Sequence, residues 1–198
     1  MDAIELLKRD HQAVTELFQR FSAGKGGRAG EAVVAKICKE LEVHAQIEEE
    51  IFYPAVRKAD SQLEEQVNEA LREHAEVKQQ VAALQARDAR ESSGLEQEVT
   101  ALQQNVEHHV TEEEGEMFLR VAEVLDERRR AQLGDQLQER KDALMGRTRR
   151  PARRARSTSR KRASTRGRRA TTAPRRKTAR RKTSGRKTAR KRARGRGR

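Results

Sequence analysis

From Arg147 to Arg198 the chain carries 26 Lys and Arg, no Asp or Glu, and no Val, Ile, Leu, Met, Phe, Tyr or Cys. Such a segment cannot bury enough apolar surface to offset the entropy lost on ordering, so residues 147–198 are expected to be disordered when free. Folding is thereby confined to residues 1–146. The net charge of +14 averages two unlike parts: 45 basic residues less 26 leaves 19 in residues 1–146, against all 31 acidic ones. The body is thus −12 and the tail +26. With 34 % apolar residues, no Trp and one Tyr, a large all-β or enzyme core is not expected. No run approaches the ~18 apolar residues of a membrane span. The start, Met1-Asp2-Ala3-Ile4-Glu5, lacks the basic-then-apolar order of a secretory signal. A single cysteine, Cys38, excludes an internal disulfide framework and fits a reducing cytosol.

Within the body the pattern is helical throughout. Pro occurs there once, at Pro54, and breaks fall at Ser22–Gly30, Ala59-Asp60-Ser61 and Ser92-Ser93-Gly94. Asp2 with Glu5, Ser61 with Glu64 and Ser93 with Glu96 have capping-box spacing, in which an N-cap oxygen and a carboxylate three residues on satisfy free helix N–H groups. Four helices are expected near 2–22, 31–58, 61–90 and 94–125, followed by a short amphipathic helix using Leu133, Leu137 and Leu144. Short connections imply an all-α, antiparallel up-down four-helix bundle.

Each helix has a 3-4 apolar seam, and each seam is interrupted by histidine. The first runs Ile4, Leu7, His11, Val14, Phe18, Phe21; the second Val34, Ile37, Leu41, His44, Glu48, Ile51. The third runs Leu63, Val67, Ala70, His74, Val77, Val81, Leu84; the fourth Leu95, Val99, Leu102, Val106, His109, Glu113, Met117. Measured along the antiparallel helices, the four histidines agree in level to about 1.5–3 Å, so they should meet in one layer. His44/Glu48 and His109/Glu113 are i,i+4 pairs whose side chains face one spot. Carboxylates buried in an apolar layer need a counter-charge, and no seam supplies Lys or Arg. A divalent or trivalent cation would supply it, and His nitrogen with Glu oxygen suits iron and, less selectively, manganese or zinc. His108/Glu112 has the same spacing as His109/Glu113 and is the alternate pair, though the seam register favours the latter. Cys38, about 9 Å along the helix from His44, reads as a buried structural thiol. Tyr53, about 13 Å past His44, reads as packing near the helix end.

These residues reach a known family. Asp10-His11-Gln12-Ala13-Val14, His44-Ala45-Gln46-Ile47-Glu48-Glu49-Glu50-Ile51-Phe52-Tyr53-Pro54, Glu73-His74, and His108-His109-Val110-Thr111-Glu112-Glu113-Glu114-Gly115-Glu116-Met117-Phe118 resemble the hemerythrin-like HHE cation-binding domains over about residues 1–145. The resemblance implies a bundle holding a non-haem, usually di-iron centre that binds dioxygen, peroxide or nitric oxide, or senses iron. Position by position, it implies His11, His44, Glu48, His74, His109 and Glu113 as ligands, with glutamates bridging two irons. Oxygen-carrying members have a second histidine one turn after the helix-three histidine; here that position is Lys78. The departure counts against reversible oxygen carriage and leaves peroxide or nitric oxide chemistry, iron oxidation, sensing, or a mononuclear site open.

The tail is repetitive, with Lys177-Thr178-Ala179-Arg180 recurring as Lys187-Thr188-Ala189-Arg190. Lacking aromatic residues, it cannot stack on bases; what remains is phosphate neutralisation, which tolerates any sequence and weakens with salt. Its candidate phosphate contacts are Arg153, Arg154, Arg160, Lys161, Arg162, Arg168, Arg169, Arg175, Arg176, Lys177, Arg180, Arg181, Lys182, Arg186, Lys187, Arg190, Lys191 and Arg192. The expected partner is DNA, with RNA next. The expected location is the cytoplasm, on the nucleoid, or the nucleus in a eukaryote. Two functions follow: an iron-binding protein for dioxygen, peroxide, nitric oxide or iron held on DNA, or an architectural DNA-binding protein whose metal site is only structural.

Overall fold

The computed structural model of the chain describes residues 1–24, 27–88 and 93–147. The expectations for the basic tail beyond Arg147 lie outside the described residues. Those residues are helical, without a strand among them. Helix α1 (Ala3–Ala23) is followed by α2 (Gly27–Ile47), which runs through a π-helical turn, Glu48–Phe52, into α3 (Tyr53–Ala59). A 3-10 turn, Ser61–Leu63, leads into α4 (Glu64–Ala86). Helix α5 (Leu95–Glu112) runs through a second π-helical turn, Glu113–Met117, into α6 (Phe118–Val124), and α7 (Glu127–Leu144) follows. Contacts of α1 with α2, α2 with α4, α4 with α5 and α5 with α1 close a four-membered ring, and α7 lies against α1 and α2.

The seams predicted from apolar spacing are the buried faces, with Ile4, Ile51 and Leu95 only partly buried. Two apolar cores divide the bundle. One joins Leu6 and Leu7 of α1 to Ile47, Val56, Val67, Val121, Leu133 and Leu137. The other joins Val14, Phe18 and Phe21 to Ile37, Leu41, Val77, Val81, Val99 and Leu102. The start of α1 thus packs with the end of α2, the start of α4 and α6, as antiparallel neighbours must. Between the two cores lies a polar layer.

Local differences from the sequence reading have physical causes. Asp2 does cap α1, its carboxylate accepting from the Ile4 N–H at 2.9 Å. Before α4 the capping oxygen belongs to Asp60, which accepts from the Gln62 N–H at 3.0 Å, and Ser61 is already inside the 3-10 turn. Ser93 does not cap α5, because Gly94 at φ 85° takes the N-cap position. Helix α2 begins at Gly27, four residues before the predicted start. In α7, Gly134 allows the N-terminus to cross: a Cβ there would stand 2.0 Å from the Met1 carbonyl oxygen.

Each π turn closes on an i→i+5 bond, Tyr53 N–H to the Glu48 carbonyl and Phe118 N–H to the Glu113 carbonyl. Such a turn holds one residue more than an α turn. It therefore brings the residue five places on nearly back above its first residue. Tyr53 and Phe118, both buried, gain their inward direction this way, and Ile51 ends only partly buried.

Candidate metal centre

All six residues expected as ligands lie in the polar layer. His11, His44, His74 and His109 are 3–6 % exposed, Glu48 0 % and Glu113 1 %. The histidines form two pairs, each meeting Nε2 to Nε2: His11 and His44 at 3.1 Å, His74 and His109 at 3.2 Å. Each glutamate reaches both pairs. Glu48 Oε2 lies 3.1 Å from His44 Nε2 and 3.4 Å from His74 Nε2. Glu113 Oε2 lies 3.5 Å from His11 Nε2 and 3.7 Å from His109 Nε2.

The far nitrogens fix which way the rings face. His11 Nδ1–H donates to Glu114 Oε1 at 2.7 Å, His74 Nδ1–H to Glu49 Oε1 at 3.0 Å, and His109 Nδ1–H to Glu73 Oε2 at 2.8 Å. His44 Nδ1 faces Asp10 Oδ2 at 3.8 Å. An ionised carboxylate only accepts, so a neutral ring bonded to it carries its proton on Nδ1 and presents a bare lone pair at Nε2. Carboxylate support of this kind also makes the imidazole a better metal ligand. The arrangement repeats: Asp10-His11 corresponds to Glu73-His74, and His44 with Glu48-Glu49 corresponds to His109 with Glu113-Glu114.

The centre is therefore a set of acceptors facing one another. Both oxygens of Glu48 and both of Glu113 are buried without a hydrogen-bond partner. Buried unpaired carboxylates are strongly disfavoured, so this layer is built for cations. Without metal, protons meet part of the demand. Burial opposes charge on His11, but the Glu113 carboxylate 3.5 Å away and the Glu48 charge raise it to about 9. Burial also opposes charge on Glu113, but the close approach of His11 and the nearby His109 ring hold it at about 2. Burial drives His44 down to about 4 against the pull of Asp10. Burial and the Glu113 charge push Glu48 up.

The donor set fits metal. Two nitrogens about 2.1 Å from one ion and roughly 90–110° apart stand about 3.0–3.4 Å from each other, which is the spacing within each pair. His11, His44, Glu48 and Glu113 offer ligand atoms within 4.8 Å of one another, as do Glu48, His74 and His109. A cavity of about 20 Å³ abuts all four histidines and is walled by Val14, Leu41, Val77 and Val106; it has room for about one water-sized molecule.

The alternate pair lies elsewhere. His108 is 67 % and Glu112 48 % exposed, with His108 Nε2 3.3 Å from Glu112 Oε1 and 3.4 Å from Glu73 Oε1. The reading of Tyr53 as packing remote from the site is corrected: its hydroxyl lies 3.3 Å from His74 Nε2. The straight α-helical rise used for that reading ignored both the π turn and the length of a side chain that leans back toward the helix start. The counterpart of Tyr53 is Phe118, whose ring stacks on His11 at 5.9 Å, so one pair has a phenol beside it and the other a phenyl. Lys78 is not aimed at the centre; its Nζ donates to both oxygens of Glu49 at 2.6 Å. Asp10, Glu49, Glu73 and Glu114 were given no role from sequence, although each adjoins a histidine or glutamate of the layer. Cys38 is buried in the second apolar core, as expected.

Comparison with known proteins identifies the family and the fold. The hemerythrin HHE cation binding domain matches residues 2–121. A crystal structure of a hemerythrin HHE cation binding domain-containing protein from Mycobacterium kansasii is similar at 27 % identity and a TM-score of 0.63, covering 74 % of this chain and 88 % of that one. No curated protein matches. With the family match spanning more than half its length, the chain belongs to the hemerythrin HHE cation-binding family.

Proposed function

We propose that the bundle holds two iron ions and handles dioxygen, peroxide, nitric oxide or iron itself, while the basic tail keeps it on DNA in the cytoplasm. The carrying observation is the pairing of the histidines, with Glu48 and Glu113 each reaching both pairs. Two cations, one per histidine pair, would use every bare acceptor: His11 and His44 on one side, His74 and His109 on the other, and the two glutamates between. Iron would supply electron transfer to a small oxidant. The chain itself orients the rings through their Nδ1 carboxylates, excludes bulk water with the two apolar cores, and leaves the 20 Å³ cavity for a small ligand. The Tyr53 hydroxyl adds a proton donor or a further oxygen at the His74 side alone.

The test is metal analysis of the full chain after anaerobic loading with ferrous iron, with an optical spectrum before and after peroxide. Two irons per chain and a spectrum that changes on peroxide support the proposal; a chain that retains no iron refutes it. Loading with no response to peroxide would favour the architectural role. For the tail, replacing Arg190, Lys191 and Arg192 with Ala should lower the slope of log affinity for duplex DNA against log salt by about 2.7. An unchanged slope would exclude these residues from the contact.

A further inference from the structure

Three carboxylates accept from the outer nitrogens of His11, His74 and His109 and a fourth, Asp10, faces that of His44; three of the four are neutralised by lysine. Lys141 Nζ is 2.6 Å from Asp10, Lys78 Nζ 2.6 Å from Glu49, and Lys8 Nζ 3.6 Å from Glu114. Among the described residues Glu73 has no such lysine. One of its oxygens serves His109; the other, Oε1, is buried with no hydrogen-bond partner. Facing that oxygen, where the other three sites have an ammonium, are His108 and Glu112, and the three offer ligand atoms within 4.8 Å of one another. A second observation is independent of these distances. A cleft of about 370 Å³ opens on this side, lined by Glu69, Glu73, Glu112 and Glu116 with no lysine or arginine, and His109 and Glu113 of the centre form part of its wall.

We infer that Glu73, His108 and Glu112 form an external site for a divalent transition-metal ion, and that the acidic cleft beside it is the route by which such ions reach the buried centre. One imidazole nitrogen with carboxylate oxygens suits ferrous iron, manganese or zinc better than magnesium or calcium, which prefer oxygen alone. A cleft lined by one sign of charge concentrates the opposite ion and speeds its capture. A lysine on Glu73 would defeat this by repelling the cation, which accounts for the one outer carboxylate that lacks it. Because Glu73 bonds His109 with its other oxygen, an ion held outside is one carboxylate away from a ring whose Nε2 faces inward.

This inference rests on the metal-centre reading, and the experiment separates the two. Metal-free full-length chain is mixed with ferrous iron without oxygen, and the rate and final extent of uptake are measured. His108→Gln/Glu112→Gln removes exposed ligands, and Glu112→Lys supplies the missing ammonium. Both variants should load about tenfold more slowly or worse, with Glu112→Lys the slower. Iron retained per chain after a chelator strips exposed ions, and the thermal midpoint, should match the parent, and the parent's rate should fall with ionic strength more steeply than the variants'. Uptake by both variants within twofold of the parent rate overturns the route and leaves the buried centre standing. A lower chelator-resistant iron content at unchanged rate overturns it too, because those residues would then belong to the centre. If the parent takes up no iron, both readings fall.

Discussion

Glu48→Met should make the metal-free chain more stable while removing its response to metal. Glu48 is fully buried, and neither of its oxygens has a hydrogen-bond partner. Leaving a buried polar group unsatisfied costs about 1–3 kcal/mol, more for a charge. Replacing buried ionic groups with apolar residues of similar volume is often neutral or stabilising by about 1–4 kcal/mol. Methionine fits the volume and meets the apolar core formed by Ile47, Phe52 and Val67. Burial and the Glu113 charge push Glu48 toward its neutral form, so the substitution removes an unsatisfied acid rather than half of an ion pair, and Glu113 remains in the layer. The balance is a gain of about 1–3 kcal/mol, or roughly 3–9 °C in midpoint for a folded body of this size. The assay is a thermal scan of the chelator-treated full chain by circular dichroism, repeated with ferrous iron in excess. A ligand at 100 times its dissociation constant adds about 2.7 kcal/mol, so the parent's midpoint should rise with iron and the variant's should rise far less. A metal-free variant that loses more than about 2 kcal/mol, the range for a core packing defect, while keeping the parent's full response to iron would show that Glu48 is packing and not a ligand.

Gly134→Ala should lower the thermal midpoint although alanine is the better helix former: the added Cβ would stand 2.0 Å from the Met1 carbonyl oxygen, and overpacking of about 1–3 kcal/mol outweighs a propensity gain below 1. A higher midpoint would refute the close crossing of the N-terminus over α7. Lys78→Ala should free Glu49, loosen His74 and weaken iron affinity about tenfold or more with helicity unchanged; unaltered affinity in an iron titration would make Lys78 a surface charge only. Burial, and then the Glu42 charge, push the Cys38 thiol from its ordinary 9.0 to about 11. The folded chain should therefore resist alkylation at pH 8 and react once unfolded. Its raised value contributes stability that is full below about pH 9 and lost as pH rises toward 11, so Cys38→Ala should flatten the alkaline decline in midpoint. Rapid labelling of the folded chain would contradict the buried placement.

The sequence made the bundle legible because its helices repeat apolar residues at 3-4 spacing and break at Gly, Ser and Asp. Levels counted along straight helices were enough to bring His11, His44, His74 and His109 together, since the one extra residue of a π turn changes a level by no more than about 1.5 Å. Past those turns the counting failed, and Tyr53 was the casualty: nothing in Glu48-Glu49-Glu50-Ile51-Phe52 announces an i→i+5 bond. The outer carboxylates were visible in principle, as acidic neighbours of His11 and His74 and of Glu48 and Glu113, but an acidic residue on a helix usually faces water and carries no sign of its partner. Lys78 read as a missing ligand because its reach to Glu49 joins residues 29 apart in sequence, a contact that only the packed helices define.

The central claim is one iron per histidine pair. Anomalous scattering at the iron edge, from crystals of the iron-loaded full chain, tests it in place. Two peaks are expected in the buried layer, one between His11 and His44 and one between His74 and His109, each within bonding distance of Glu48 or Glu113. No peak in that layer, or a single peak confined to Glu73, His108 and Glu112 at the surface, would contradict it.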